Sequence, residues 1–191
     1  MKDNEVTNAM GIDVTTEKRF EEDIESFFLS NEGGYTKNRD SYDLKLGLYV
    51  DTLIRFIKTT QENSWKRFTM QNADNPERKF CLAFNNACDA DGLIYVLRHG
   101  FKHRGITFKV CYFAPESGLN QTHAEHYEMN EITCNRQWYY SADNSNSVDM
   151  VIAVNGIPVF AFELKNQYTG QTVDNAKRQW MYDRDPREVC F

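Results

Sequence analysis

The segment Ser147–Asn166, SVDMVIAVNGIPVFAFELKN, constrains the fold of this chain more than any other stretch. Two apolar runs rich in β-branched residues, Val148–Val154 and Ile157–Phe162, flank the dipeptide Asn155-Gly156. Asn-Gly tolerates the positive φ angles of a type I′ turn and is the strongest short-range indicator of a β-hairpin. The sequence therefore predicts a tight antiparallel hairpin.

Three charged residues stand near the open end of this hairpin. Asp149 lies at the start of the first strand, whereas Glu163 and Lys165 lie at the end of the second. Residues two apart in a strand point to the same face, and a tight hairpin brings the start of one strand beside the end of the other. Burying charges is costly unless they are paired or bind a metal, so this cluster is a candidate functional site.

The chemistry of the cluster suits a hard divalent cation. We expect the carboxylates of Asp149 and Glu163, together with the main-chain carbonyl of Leu164, to hold Mg²⁺. Lys165 would orient a water molecule or neutralise negative charge on a phosphate. The spacing D-x13-E-x-K has low specificity by itself. Asp149 as a turn cap, and Glu163 and Lys165 as exposed positions of an edge strand, stay open as alternatives.

Composition limits the function classes. The 191-residue chain carries a net charge of −6, which argues against free-standing nucleic-acid binding through a basic surface. A catalytic domain that other parts of a larger protein bring to DNA stays possible. The five cysteines are widely spaced without a CxxC pair. Reduced thiols and a cytoplasmic protein are expected, since no signal peptide or membrane-spanning run is present.

Hydrophobic patterns predict helices first, then strands, then a last helix. In the first helix, Phe20, Ile24 and Phe28 belong to one apolar stripe that Glu21 and Glu25 flank. The fold class predicted is α/β, with a mixed central β-sheet flanked by helices. The predicted elements besides the hairpin are helices at Thr16–Leu29, Tyr42–Thr59, Asp89–His99 and Thr172–Tyr182, and strands at Ile106–Ala114 and Asn130–Tyr140.

The hairpin segment also closely resembles the nuclease motif of the restriction (R) subunit of type I restriction-modification enzymes. The N-terminal domain of that subunit belongs to the PD-(D/E)xK nuclease superfamily. The resemblance extends from Glu17 to the end of the chain. The other segments that carry it are RFEEDIESFFLSNEGGY, YDLKLGLYVDTLIRFIKTTQENSW and NAKRQWMYDRDPRE.

The resemblance implies a restriction-endonuclease-like core and a set of catalytic residues. Asp149, Glu163 and Lys165 match the central motif of the family. The family also has an acidic residue on its opening helix that completes the metal shell. Aligning the apolar positions puts that acid at Glu21, with Glu25 as the second choice.

The family further carries a glutamine followed four residues later by a tyrosine, on the helix after the hairpin. Gln179 matches the glutamine, but the fourth residue after it is Asp183. Tyr182 stands one position early, so its assignment to the tyrosine role is less direct. Both Gln179 and Tyr182 are included among the candidate catalytic residues.

The activity that the resemblance implies is Mg²⁺-dependent cleavage of double-stranded DNA, with Mn²⁺ as a substitute, as a type I site-specific deoxyribonuclease. Residues 16–191 would form the endonuclease domain, a fragment of a longer motor subunit, and residues 1–15 a flexible leader. Its partners would be DNA and the methylase and specificity subunits. ATP would bind only elsewhere in the full-length subunit, since no GxxxxGK[ST] motif occurs here.

Two alternatives stay open at this stage. One is another PD-(D/E)xK nuclease that acts on branched or damaged DNA. The other is a non-catalytic docking module that keeps the same fold. The complete set of Asp149, Glu163 and Lys165 argues against a decayed site.

Overall fold

The computed structural model describes residues 17–115, 120–165 and 172–189 of the chain. The described residues form a mixed α/β structure of seven α-helices and two small antiparallel sheets. The predicted leader, residues 1–15, lies outside the described ranges. In chain order the elements are α1 Glu17–Phe28, α2 Val50–Thr60, α3 Glu62–Gln71, α4 Pro76–Asp91, α5 Leu93–His99, β1 Phe101–His103, β2 Ile106–Phe108, α6 Gln121–Glu128, β3 Ile132–Tyr139, β4 Ser147–Val154, β5 Ile157–Phe162, α7 Val173–Arg178 and a π-helical turn Gln179–Asp183.

The α/β class predicted from the sequence is confirmed, but the strands form two small antiparallel sheets instead of the one mixed central sheet that was predicted. One sheet pairs β1 with β2, and the other has the order β3-β4-β5. No helix within the described ranges is both long and apolar enough to cross a lipid bilayer.

The chain folds into two compact units. The first contains the described residues up to Lys37, then Cys134–Ile152 and the residues from Val159 onward. The second contains Asn38–Thr133 and the hairpin tip Ala153–Pro158. All of the candidate site residues named above belong to the first unit.

The predicted hairpin is present as β4 and β5. Its turn residues have positive φ angles, 51° at Asn155 and 82° at Gly156, as a type I′ turn requires. A residue outside the hairpin also stabilises the turn within the second unit: the Tyr49 amide donates a hydrogen bond of 2.9 Å to the Gly156 carbonyl. This hairpin is what positions Asp149 in the first unit.

Replacing Gly156 by alanine is expected to lower the free energy of unfolding by about 2 kcal/mol or more. A Cβ there would lie 2.4 Å from the Tyr49 carbonyl oxygen and 2.9 Å from the Leu53 amide nitrogen. The positive φ angle alone costs an L-residue about 1–2 kcal/mol. Gly105→Ala is the matched control, because Gly105 has φ +80° and nothing within 4 Å of the added carbon. Equal losses for the two variants in urea unfolding would contradict this packing.

The core of the first unit lies between α1 and one face of the β3-β4-β5 sheet. Cys134, Met150 and Ile152 form its centre, and Ile24 and Phe28 of α1 pack against it. The predicted first helix is thus confirmed within one residue at each end. Met150 and Ile152 alternate along β4 with Asp149, so the Asp149 side chain points to the other face of the strand.

The second predicted helix, Tyr42–Thr59, was wrong over its first half, because α2 begins only at Val50. Before it, the Asp43 carboxylate accepts hydrogen bonds from the amides of Lys45 and Leu46, each 2.9 Å long. Gly47 follows with φ +69°, which closes a tight turn rather than a helical one. Side-chain capping of this kind competes with the helix that the apolar spacing predicts.

Other boundaries also differ from the predictions. The Asp89–His99 region is divided between α4 and α5 at Gly92, which has φ +87°. The strand predicted to continue to Ala114 ends at Phe108, and α6 was not predicted. The last predicted helix, Thr172–Tyr182, ends as α7 at Arg178 and continues as the π-helical turn.

Candidate active site

Asp149 lies against the end of β5, as the hairpin geometry predicts. Its Oδ2 accepts a hydrogen bond of 2.6 Å from the main-chain amide of Leu164. That amide belongs to the peptide bond between Glu163 and Leu164, so the Asp149 carboxylate lies directly beside the Glu163–Lys165 segment. The two ends of the hairpin therefore bring the predicted acidic residues to one place.

Glu163 is buried between two cations. Only 2% of its side chain is exposed, compared with 10% for Lys165 and 9% for Arg184. Its Oε2 lies 3.8 Å from Lys165 Nζ, and its Oε1 lies against Arg184 Nη2. A carboxylate so far from water is tolerated because opposite charges replace the lost hydration.

Arg184 is fixed by its surroundings on its other side. Its Nη1 donates a hydrogen bond of 3.0 Å to the Tyr140 hydroxyl. Its guanidinium carbon lies 5.5 Å from the centroid of the Tyr140 ring and 5.8 Å from that of Trp180. Such cation–π contacts favour a desolvated arginine. Arg184 was not predicted, although a basic residue just after the last helix could have been considered as a partner for Glu163.

A cavity of about 610 Å³ opens beside Asp149. Most of the predicted site residues meet there, and those lining it are Asp149, Lys165, Gln179 and Tyr182. Three further residues that were not predicted as site residues also line the cavity: Asn175, Arg178 and Asp183. Glu163 does not line the cavity, because Lys165 and Arg184 enclose its carboxylate.

The far wall of this cavity is the π-helical turn that follows α7. Wide turns of this type occur often at functional sites, because they shift side chains relative to an α-helix. Gln179 begins the turn and Tyr182 is its fourth residue. Arg178, which stands four residues before Tyr182, also lines the cavity. The four-residue spacing read backward from Tyr182 would have identified Arg178 from the sequence.

Glu21 lies in different surroundings from Asp149. It is buried, and its Oε2 accepts a hydrogen bond of 3.0 Å from Gln137 Nε2 and lies 3.8 Å from Arg136 Nη1. Gln137 has φ +50°, an uncommon angle for a residue other than glycine. Glu21 lines a second cavity of about 420 Å³ together with Lys37 and other residues, and it does not line the first.

Glu25, the second choice for the helix acid, is also held by cations. Arg136 Nε donates to its Oε2 at 2.9 Å, and Lys37 Nζ donates to its Oε1 at 3.1 Å. Burial alone raises the pKa of Glu25, but the hydrogen bonds and charges of Lys37 and Arg136 outweigh it and bring the pKa below the ordinary value. Glu25 is therefore an ionised structural anchor between α1 and β3.

The donor set around Asp149 fits a magnesium ion. Mg²⁺ prefers oxygen ligands, keeps several waters and commonly uses only one or two carboxylates. Asp149 and Glu163 supply two carboxylates, of which Glu163 is already paired with Lys165 and Arg184. No group of three or more His, Cys, Asp or Glu side chains within the described ranges could hold a metal. Ligation would thus depend on these two carboxylates, the main chain and water.

Comparison with known proteins places the chain in a family. A family model described as "Type I restriction enzyme R protein N terminus (HSDR_N)" matches residues 52–189, more than half of the chain. The match includes the whole hairpin and the π-helical turn, whereas Glu21 lies before its start. No curated protein and no solved structure matches the chain. With the hairpin, the charged cluster and the match in agreement, this chain belongs to the family of type I restriction enzyme R protein N-terminal regions.

Proposed function

We propose that this chain is a Mg²⁺-dependent endonuclease domain that hydrolyses phosphodiester bonds of double-stranded DNA, with a PD-(D/E)xK core. The observation that carries the proposal is the cavity in which Asp149 and Lys165 meet the side chains of the π-helical turn. The short contact between the Asp149 carboxylate and the Leu164 amide supports it, because it ties both strand ends to one site. The family match supports the restriction enzyme as the setting.

Each side chain has a role that its position suits. Bound Mg²⁺ would polarise a phosphoryl oxygen and lower the pKa of a coordinated water. Lys165, at the edge of the cavity, would stabilise negative charge that develops on the phosphate. Gln179 and Tyr182 would orient the substrate or water by hydrogen bonds from the opposite wall. Asp149, Glu163 and the Leu164 main-chain carbonyl would hold the metal, and Glu21 of the opening helix stays a further candidate ligand.

The proposal includes the partners of a type I restriction enzyme. The net charge of −6 gives the chain little attraction for DNA by itself. Delivery of the cavity to DNA by the methylase and specificity subunits, and by an ATP-driven translocase part of a full-length R subunit, would overcome this. Products with 5′-phosphate and 3′-hydroxyl ends are expected.

Asp149→Asn tests the proposal in the full-length R subunit assembled with its partner subunits. The asparagine carbonyl can still accept the Leu164 hydrogen bond, so the fold should persist while the charge is lost. We expect Mg²⁺-dependent cleavage of unmethylated plasmid DNA to fall by at least about 10²-fold. Asp143→Asn is the matched control, since Asp143 is exposed in a turn of the same unit. Undiminished cleavage by the Asp149 variant would show that the site is assigned wrongly.

A further inference from the structure

Arg178 occupies an unusual position for an exposed cation. It is the last residue of α7, its side chain is exposed, and it lines the same cavity as Asp149 and Lys165. Within the described ranges no acidic side chain forms an ion pair with it. Arg178 therefore lines the cavity without an acid paired to it in the described ranges.

The neighbouring residue shows the contrast. Lys177 forms an ion pair with Asp174, with 3.6 Å between Nζ and Oδ1, and does not line the cavity. The two residues have the same charge, the same helix and adjacent positions. Only Arg178 faces the space where the proposed function puts a DNA strand.

We propose that Arg178 binds a backbone phosphate of the DNA strand that occupies this cavity, an inference that rests on the proposed function. The planar guanidinium can donate two parallel hydrogen bonds to phosphate oxygens, which an ammonium cannot do. Lys165 lines the cavity beside Asp149, so it serves the phosphate that reacts. Arg178, on the far wall, binds a different phosphate and fixes the register of the strand.

The other charges of the cavity agree with this division. Asp149 and Asp183 also line it, so without cations the space would repel a phosphodiester. Lys165 and Arg178 are the two cations among the lining side chains, and Lys165 is also paired with Glu163. Loss of Arg178 would leave one cation against two acids and should weaken DNA binding beyond the loss of a single hydrogen bond.

The test is binding of a fluorescently labelled 20-base-pair duplex to the full chain in EDTA, where no cleavage occurs. Low salt is used because the acidic chain binds DNA weakly, and affinity is then measured against salt concentration. Arg178→Ala is expected to lower the affinity about tenfold. The slope of log affinity against log salt should shrink by roughly 0.9, the value for one lost phosphate contact.

Two variants define the interpretation. Lys177→Ala removes the same charge from the adjacent position and should change affinity and salt slope little. Arg178→Lys keeps the charge without the planar fork, so it should retain the slope and lose part of the affinity. If Arg178→Ala and Lys177→Ala weaken binding equally, or if the wild-type chain does not bind the duplex at low salt, the inference is wrong.

The Asp149→Asn variant distinguishes loss of phosphate binding by Arg178 from absence of nuclease activity at Asp149. Asp149→Asn removes a carboxylate from the cavity and should bind the duplex at least as tightly as the wild type. Loss of affinity through Arg178 combined with normal cleavage by Asp149→Asn would mean that DNA occupies the cavity without being cut there. Equal binding by the Arg178 and Lys177 variants combined with inactive Asp149→Asn would remove only the role of Arg178.

Discussion

Lys165→Ala is expected to reduce DNA cleavage by the assembled enzyme about 10²–10³-fold while Mn²⁺ binding persists. The ammonium of Lys165 lies at the cavity with Asp149 and is not a metal ligand in the proposed site. Its removal takes away a charge that stabilises the transition state, and leaves both carboxylates in place. The measurement is the rate of plasmid cleavage at saturating Mg²⁺.

The control for Lys165→Ala must separate catalysis from folding. Glu163 keeps Arg184 as a partner in this variant, so the buried carboxylate is still paired. Lys177→Ala, an exposed lysine of the same unit, should cleave at the wild-type rate. If Lys165→Ala cleaves DNA within about threefold of the wild-type rate, the Lys165 ammonium does not stabilise charge in the transition state.

Arg184→Leu is expected to destabilise the first unit by about 3–5 kcal/mol, the cost of leaving a buried charge without its partner. Glu163 is the buried partner, and Lys165 compensates only in part because its Nζ is 3.8 Å from the carboxylate. The loss should appear as a lower midpoint in urea unfolding. The double variant Arg184→Leu/Glu163→Leu should recover much of the lost free energy of unfolding, because the unpaired buried carboxylate is then absent.

Arg187→Leu is the matched control for Arg184. Arg187 pairs with Asp185 at 2.7 Å, but 88% of its side chain is exposed, so its removal should change stability far less than the removal of Arg184. The Arg187 pair nevertheless holds the pKa of Asp185 at about 2 through hydrogen bonds. Equal destabilisation by the two arginine variants would mean that Arg184 does not sustain the buried carboxylate.

The hairpin and its charges could be predicted because their causes are local. Asn155-Gly156 specifies the turn by backbone preference alone, and strand alternation then sets where Asp149 and Lys165 lie. Gln179 and Tyr182 were placed through family resemblance, and both line the same cavity as Asp149. Their catalytic roles stay predictions.

The remaining features depend on contacts between distant positions. Arg184 reaches Glu163 and Tyr140 across the first unit, and no spacing in the sequence marks that contact. Glu21 was assigned from the family resemblance; Gln137 and Arg136 engage its carboxylate, and its role as a metal ligand stays a prediction. The partners of the Arg184 and Glu21 side chains are set by tertiary contacts. Hydrophobic periodicity indicates only which face of a helix is buried, so it does not predict those partners.

Calorimetric titration of the full chain with Mn²⁺ is the decisive experiment for a metal site formed by Asp149 and Glu163. We expect binding at one site, abolished in Glu163→Gln and in Asp149→Asn and retained in Lys165→Ala. Absence of binding heat from the wild type, or binding that Glu163→Gln leaves unchanged, would contradict a metal-dependent nuclease site at the end of this hairpin.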